Sequence, residues 1–451
     1  MVVLAMYLIY KFHLLGRYVF IKVQSFFWRI NGVGSCLDRI WNGDQYERSA
    51  HVLDILWRFK PMPSYANCIE NFTTTHRNFT HPNVIRSDAV SLMCVTGNEA
   101  IFVEVPPDID LYSCSKYPLI FRHQYDFAIR LIRMPISSFH RISQAIGDPD
   151  DKEVIMVHYT ERCGSTLLVQ LLERLRLGKT SAKPSVSFSE CTSFEPIFSN
   201  RSEYNELEFL EILRSSFRVI CKYETPLVII KAFLGTWIRL VPEVSTLFPR
   251  FHQLFADRAS LPQITSRLRV TDQVVEFRLL HFAQSHPTAA RWLNLPREQL
   301  LRHYYGELYE QLKHGDALVK LTRFETLSLS TLALKKTYVD YYKRGNRIAA
   351  VRLEDIEQNP HAALHQVLAY CKLENHMDQI PVMMKALERD SHANNPNRLC
   401  KKSRGVQSRP RDTVQVARCD ELCDRFGLFR LSDPSRLPGT ISSIPVSPKD
   451  S

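Results

Sequence analysis

Residues 154–160 (VIMVHYT) form a short apolar, β-branched run, and Leu167, Leu168, Leu171, Leu172 and Leu175 repeat at helical spacing directly after it. Strand, tight loop and helix therefore follow one another without an intervening linker. Further strand candidates lie at 227–233 (LVIIKAF), 251–256 (FHQLFA) and 348–353 (IAAVRL), with helical segments between them and after the last. Such alternation predicts an α/β fold, a mostly parallel sheet with helices on both faces.

The loop between the first strand and its helix reads Glu161-Arg162-Cys163-Gly164-Ser165-Thr166. A glycine with small hydroxyl residues at a helix start lets backbone N–H groups close around an anion, and the helix dipole favours negative charge there. Phosphate or sulfate is the natural guest. The same residue types also serve as ordinary turn and N-cap residues, so the loop alone leaves both readings open.

Four segments in order carry a resemblance. YTERCGSTLL, around Arg162, resembles the 5′-phosphosulfate loop of the sulfotransferases that use 3′-phosphoadenosine 5′-phosphosulfate, in the form seen in tyrosylprotein and many carbohydrate sulfotransferases. FADRASLPQITS resembles that family's 3′-phosphate element, with Arg258 ending a strand and Ser266 eight residues later on the next helix. VRLEDIEQNPHAALHQVLAYCKL resembles its late strand and helix, and RDSHANNPNRL its closing loop. The resemblance covers residues 153–402, and it departs from the family where Cys163 replaces Ser, Glu161 replaces Pro, and Asp257-Arg258-Ala259 replaces an Arg-Asp/Asn-Pro order.

The resemblance implies a P-loop-like sulfotransferase core that moves a sulfuryl group to a hydroxyl or amine acceptor, carbohydrate or protein tyrosine first. The donor nucleotide is a co-substrate and no metal is expected. Arg162, Cys163, Gly164, Ser165, Thr166 and Leu167 would surround the 5′-phosphosulfate, and Arg258 and Ser266 the 3′-phosphate. Arg162 would also take up charge on the bridging oxygen, Lys231 would add positive charge, and Glu190 would be the base, with Glu195 and then His252 as substitutes. Two other readings stand beside this one: a nucleotide-binding module of the same fold without turnover, and a P-loop kinase or NTPase. Gly178-Lys179-Thr180 ends like a Walker A motif, but Glu173 occupies the place of its first glycine.

Composition sets the outer bounds. A hydrophobic fraction of 45% with 23% charged residues excludes wholesale disorder, and 15 Gly with 24 Pro exclude collagen-like and low-complexity chains. Eleven Cys, neither dense nor grouped, do not describe a disulfide scaffold. The 58 Lys and Arg against 47 Asp and Glu leave a net charge of +11, yet no nucleic-acid-reading signature accompanies it. Six of those cations, Arg398, Lys401, Lys402, Arg404, Arg409 and Arg411, stand together with no acid between them, and are expected to close over nucleotide phosphates or meet an anionic acceptor.

Residues 1–47 form an apolar and basic segment in which Lys11, His13 and Arg17 interrupt the run before ~20 apolar residues can span a bilayer. A helix lying in a membrane interface, a marginal signal anchor and a first helix packed on the protein body are the alternatives, and the first two favour the Golgi membrane or lumen over the cytoplasm. Residues 48–150 read as an accessory α+β region, with a hairpin over 89–105 and helices over 125–134 and 136–146. Residues 151–429 are the sulfotransferase-like domain, and 430–451 a tail without order.

Overall fold

The computed structural model describes residues 2–60, 66–177, 184–233, 237–271, 275–292, 297–306, 308–313, 320–388, 413–433 and 436–441. The chain divides into two compact units: Met1–Tyr112, Leu119–Asp151 and Cys191–Glu224 form the first, and Ser113–Pro118, Lys152–Glu190 and Thr225–Ser451 the second.

The first unit is built on β1 (Ala50–Arg58), β2 (Phe72–Thr80), β3 (Val90–Val95), β4 (Glu99–Glu104) and β5 (Arg130–Pro135), in the order β2-β1-β5-β4-β3 and antiparallel throughout. The expected hairpin is β3–β4, where the Thr96 hydroxyl accepts from the amides of Asn98 and Glu99 at 3.3 and 3.1 Å. The helix expected over 125–134 does not form. A helix at Ile120–Phe127 is followed by β5, because cross-strand partners override local propensity: Arg130 pairs with Glu104 at 2.8 Å and Arg133 with Glu99 at 2.7 Å. The helix Ile136–Ile146 forms as expected and ends at Gly147, whose φ of 87° suits glycine.

Residues 191–224 fall outside the boundary expected at 150/151. Their helix, Glu206–Ile220, starts on a capping box of Asn205 and Glu208 and packs against Ile136–Ile146. Beyond it the Lys222 ammonium donates to the carbonyls of Ile85, Ser87 (2.7 Å) and Val90 (2.6 Å).

The second unit holds a parallel sheet of β6 (Glu153–Tyr159), β7 (Val186–Cys191), β8 (Leu227–Ala232), β9 (His252–Asp257), β10 (Ile348–Arg352) and β11 (Thr440–Ile441). The order is β11-β10-β9-β6-β8-β7, so the chain builds to one side of β6 with β7 and β8, then to the other with β9 and β10. Every residue of β8 and β9 is buried, which is why β8 reads as a continuous apolar run rather than an alternating one, while β9 takes His252, Gln253 and Asp257 inside with it. The helix Ser165–Leu172 packs against β6, β8 and β9 through Leu168, Leu171 and Leu172. Each such leucine contributes about 1.5–3 kcal/mol of burial.

Strand β7 is not announced by its sequence, because Ser187 and Ser189 are buried in it. Ser187 accepts from the Cys114 amide at 2.7 Å and Ser189 donates to the Pro118 carbonyl at 2.6 Å. The tail also differs from expectation. Thr440 and Ile441 pair in parallel with Ala350 and Val351, and Arg436 grips the buried Asp355 with both guanidinium arms at 3.0 and 2.9 Å. Residues 434–435 and 442–451 of that tail lie outside the described residues.

Candidate functional site

The carboxyl ends of the parallel strands gather the charged residues of the second unit. Arg162 to Thr166 follow β6, Glu190 and Lys231 are the penultimate residues of β7 and β8, Asp257 ends β9 with Arg258 after it, and Arg352 ends β10. Because sheet growth reverses at β6, the loops after β6 and β9 leave the crevice in which open α/β sheets bind ligands.

The loop after β6 is held in a narrow set of conformations. Arg162 and Gly164 sit at φ of 65° and 86°, and a Cβ on Gly164 would run into Cδ1 of Leu353. Glycine is therefore required there twice over, by backbone and by space. The helix Ser260–Thr271 braces the loop: Gln263 donates to the Thr160 hydroxyl and, at 2.7 Å, to the Glu161 carbonyl. Arg267, only 2% exposed, donates from Nε to Glu161 Oε2 at 2.5 Å and from Nη1 to Thr331 Oγ1 at 2.5 Å and Ser330 Oγ at 3.1 Å.

Two groups of polar side chains meet on this frame. In the first, Arg162 Nε donates to Ser266 Oγ at 3.2 Å, and Arg258 Nη1 donates to the Arg162 carbonyl at 3.3 Å. Behind Arg258, the buried Lys335 pairs with Asp257 at 2.7 Å and donates to the Arg258 carbonyl at 2.6 Å. In the second, Lys231 donates to Thr166 Oγ1 at 3.0 Å and to Glu190 Oε1 at 2.7 Å. Lys231 is 2% exposed, and its ammonium lies 4.7 Å from the centre of the Tyr159 ring. The Tyr159 pKa is pushed well up, first by burial and then by the charges of Glu190 and Glu161. Glu190 itself has φ of 61°, a conformation that residues other than glycine adopt only under constraint.

Other predicted residues lie elsewhere or do other work. Cys163 is buried in the core beneath the loop, and that burial raises its thiol pKa. Leu167 packs half-buried against the same core. His252 stands at the amino end of β9, 3.4 Å from Glu153 at the amino end of β6, and so at the opposite edge of the sheet from the loop. Its pKa is lowered by burial and by Arg347 against the opposing pull of Glu153. Glu195 opens the short helix Glu195–Ser199 and belongs to the first unit. The Gly178-Lys179-Thr180 segment, the RDSHANNPNRL loop and the cations from Arg398 to Arg411 lie outside the described residues.

Sequence reasoning missed Tyr159, Gln263, Arg267 and Lys335. Gln263, Ser266 and Arg267 share one helix face at i, i+3 and i+4, a polar stripe that was there to be read. Lys335 had no such signal, since only the fold brings residue 335 to residue 257.

Two guanidinium groups, an ammonium and three hydroxyls thus surround a helix start whose first amides have no intrahelical acceptor, a donor set suited to a polyanion. Among the described residues no cluster of His, Cys, Asp and Glu is arranged to hold a metal ion. Neither a protein-family model nor a curated protein matches the chain.

Proposed function

We propose that the second unit is a sulfotransferase with a P-loop-type core, moving a sulfuryl group from 3′-phosphoadenosine 5′-phosphosulfate to a hydroxyl or amine acceptor, carbohydrate or protein tyrosine first. One observation carries the reading: Arg162 of the loop and Ser266 of the 3′-phosphate element, 104 residues apart, meet at 3.2 Å with Arg258 beside them. A nucleotide bearing phosphates at both its 3′ and 5′ positions needs that pairing, whereas ATP does not. The strand order, with the loop-bearing β6 flanked by β8 and β9, fits the same core.

The donor set fits the nucleotide, which would supply the sulfuryl group. The amides of Gly164, Ser165 and Thr166 would hold its 5′-phosphate. Arg258 and Ser266 would hold the 3′-phosphate through a planar guanidinium fork and a hydroxyl. Arg162 would exchange its bond to Ser266 for charge developing on the bridging oxygen, a contribution made chiefly in the transition state. Glu190 would accept the acceptor's proton, with Lys231 on Oε1 fixing which carboxylate oxygen faces it.

Calorimetry with 3′-phosphoadenosine 5′-phosphate and AMP tests the nucleotide site, and equal affinities would sink it. Incubation with sulfur-labelled donor and a panel of sugars and tyrosine peptides tests transfer. Binding without label transfer to any acceptor would favour the module without turnover. Strict magnesium dependence would favour phosphoryl transfer instead.

A further inference from the structure

The helix Val2–Ile30 of the first unit presents two opposite faces. One is tied down: Arg17 Nε donates to the Phe72 carbonyl at 2.9 Å, Gln24 to the Thr74 carbonyl at 2.9 Å, and Trp28 stands edge-on to His51 at 5.5 Å. These residues recur at intervals of 7 and 4, so they fix the rotation of the helix about its axis.

The other face is apolar and open to solvent. Phe12, Leu15, Val19, Val23, Phe26 and Ile30 follow one another at steps of 3 and 4, and each is more than half exposed, Phe12 to 73% and Ile30 to 69%. Including Leu8, this stripe runs roughly 33 Å at 1.5 Å per residue. Soluble monomers rarely leave so long a contiguous apolar surface uncovered.

Charge decides what covers it. Lys11, Lys22 and Arg29 fall on one line along the edge of the stripe, with Lys22 and Arg29 exposed and Tyr18 5.4 Å from the Lys22 ammonium. The first acidic residue of the chain is Asp38. A second copy of the helix would bring no acidic residue to this cationic edge, and so none of the opposite charges that flank paired helices. Nor does the helix cross a bilayer, since no helix among the described residues is long and apolar enough to do so. An apolar face with a cationic edge and an interfacial tyrosine matches an anionic lipid surface.

We propose that this helix lies in the plane of an anionic membrane, with the stripe from Phe12 to Ile30 buried at the level of the acyl boundary and Lys22 and Arg29 among the headgroups. Because Arg17, Gln24 and Trp28 fix the opposite face, the whole first unit is held at the surface rather than tethered by a free segment. The inference does not depend on the sulfotransferase reading.

The test is co-sedimentation of the full chain with phosphatidylcholine vesicles, with and without phosphatidylserine, beside sedimentation velocity of the chain alone. Binding is expected to the phosphatidylserine vesicles and to fall with salt. The double variant Phe12→Asp/Phe26→Asp should lower it by at least about tenfold, and Lys22→Gln and Arg29→Gln by roughly fivefold each. The charge variants keep the proposal testable if the aspartates disturb folding, which circular dichroism reports. Failure to bind anionic vesicles would overturn it, as would binding indifferent to these substitutions. A dimer that both aspartates dissolve, with no vesicle binding, would assign the face to a second copy instead.

Discussion

Each unit seats a lysine ammonium among oxygen atoms, and the two do so differently. Lys222 of the antiparallel unit directs its donors to three backbone carbonyls, those of Ile85, Ser87 and Val90. Lys231 of the parallel unit directs its donors to a hydroxyl and a carboxylate, Thr166 and Glu190. Backbone acceptors are fixed by the sheet they belong to, so Lys222 works as a staple. Side-chain acceptors can turn toward a ligand, and Lys231 stands where parallel strands end and their unpaired loops begin. The same residue type thus fastens backbone in one unit and joins two side chains of the candidate site in the other.

The sharpest way to break this comparison is through turnover. Arg162→Ala is expected to lower transfer by ~10²–10³ and Glu190→Gln by ~10²–10⁴, with normal circular dichroism and, for Glu190→Gln, retained nucleotide binding. Full activity in either variant would remove that residue from the chemistry. In the first unit Lys222→Met should leave transfer per folded molecule unchanged and cost about 3 kcal/mol in denaturant unfolding, since three carbonyls lose their donor. A drop in turnover without a stability loss would reverse the roles of the two lysines.

A finer test uses two glycines with the same backbone. Gly32 and Gly164 are both left-handed residues preceding a helix, at φ of 80° and 86°, but a Cβ meets nothing within 4 Å at Gly32 and meets Leu353 at Gly164. Gly32→Ala should cost about 1 kcal/mol. Gly164→Ala should cost about 2–3 kcal/mol and weaken nucleotide binding, the excess measuring the close approach of Leu353 to the loop. Equal costs would mean that the loop has room to yield.

A further expected effect is shared by both units. Burial pushes His51 of the first down to about 3, with His76 and Arg133 adding to it, and His158 of the second down to about 4. In the unfolded chain each takes up a proton near pH 6.5, which the folded chain resists, so their stability contribution is complete above that pH and declines as pH falls toward the folded values. Each unit should lose about 2 kcal/mol between pH 6.5 and 5 in urea titrations, and His158→Gln should flatten that slope for the second unit alone.

Much of the second unit was legible because its local signals agree with its fold. Strands β6, β8 and β10 are mostly apolar buried runs, β9 carries Leu254, Phe255 and Ala256 at its centre, and the Arg162 loop lies between a strand and a leucine-periodic helix that both form where their sequences place them. Strand β7 was not legible, since Ser187 and Ser189 are made tolerable inside by partners more than 70 residues away. Nor was β5, whose arginines look helical until Glu99 and Glu104 stand opposite them. The site divides in the same way: the loop glycine and hydroxyls, the spacing of Arg258 to Ser266 and the polar stripe of Gln263, Ser266 and Arg267 are one-dimensional facts, while Tyr159 and Lys335 enter only through contacts across the fold.

The sequence by itself determined the βα order of the second unit, the anion-suited loop after β6 and the apolar, cationic character of the first helix, because periodicity, small residues and charge are properties of neighbouring positions. Tertiary structure alone decided that Arg162 meets Ser266, that His252 faces the opposite edge of the sheet, and that Arg17, Gln24 and Trp28 turn the apolar stripe of the first helix outward. Those outcomes depend on strand order and on hydrogen bonds between residues 50 or more positions apart, which no local pattern encodes.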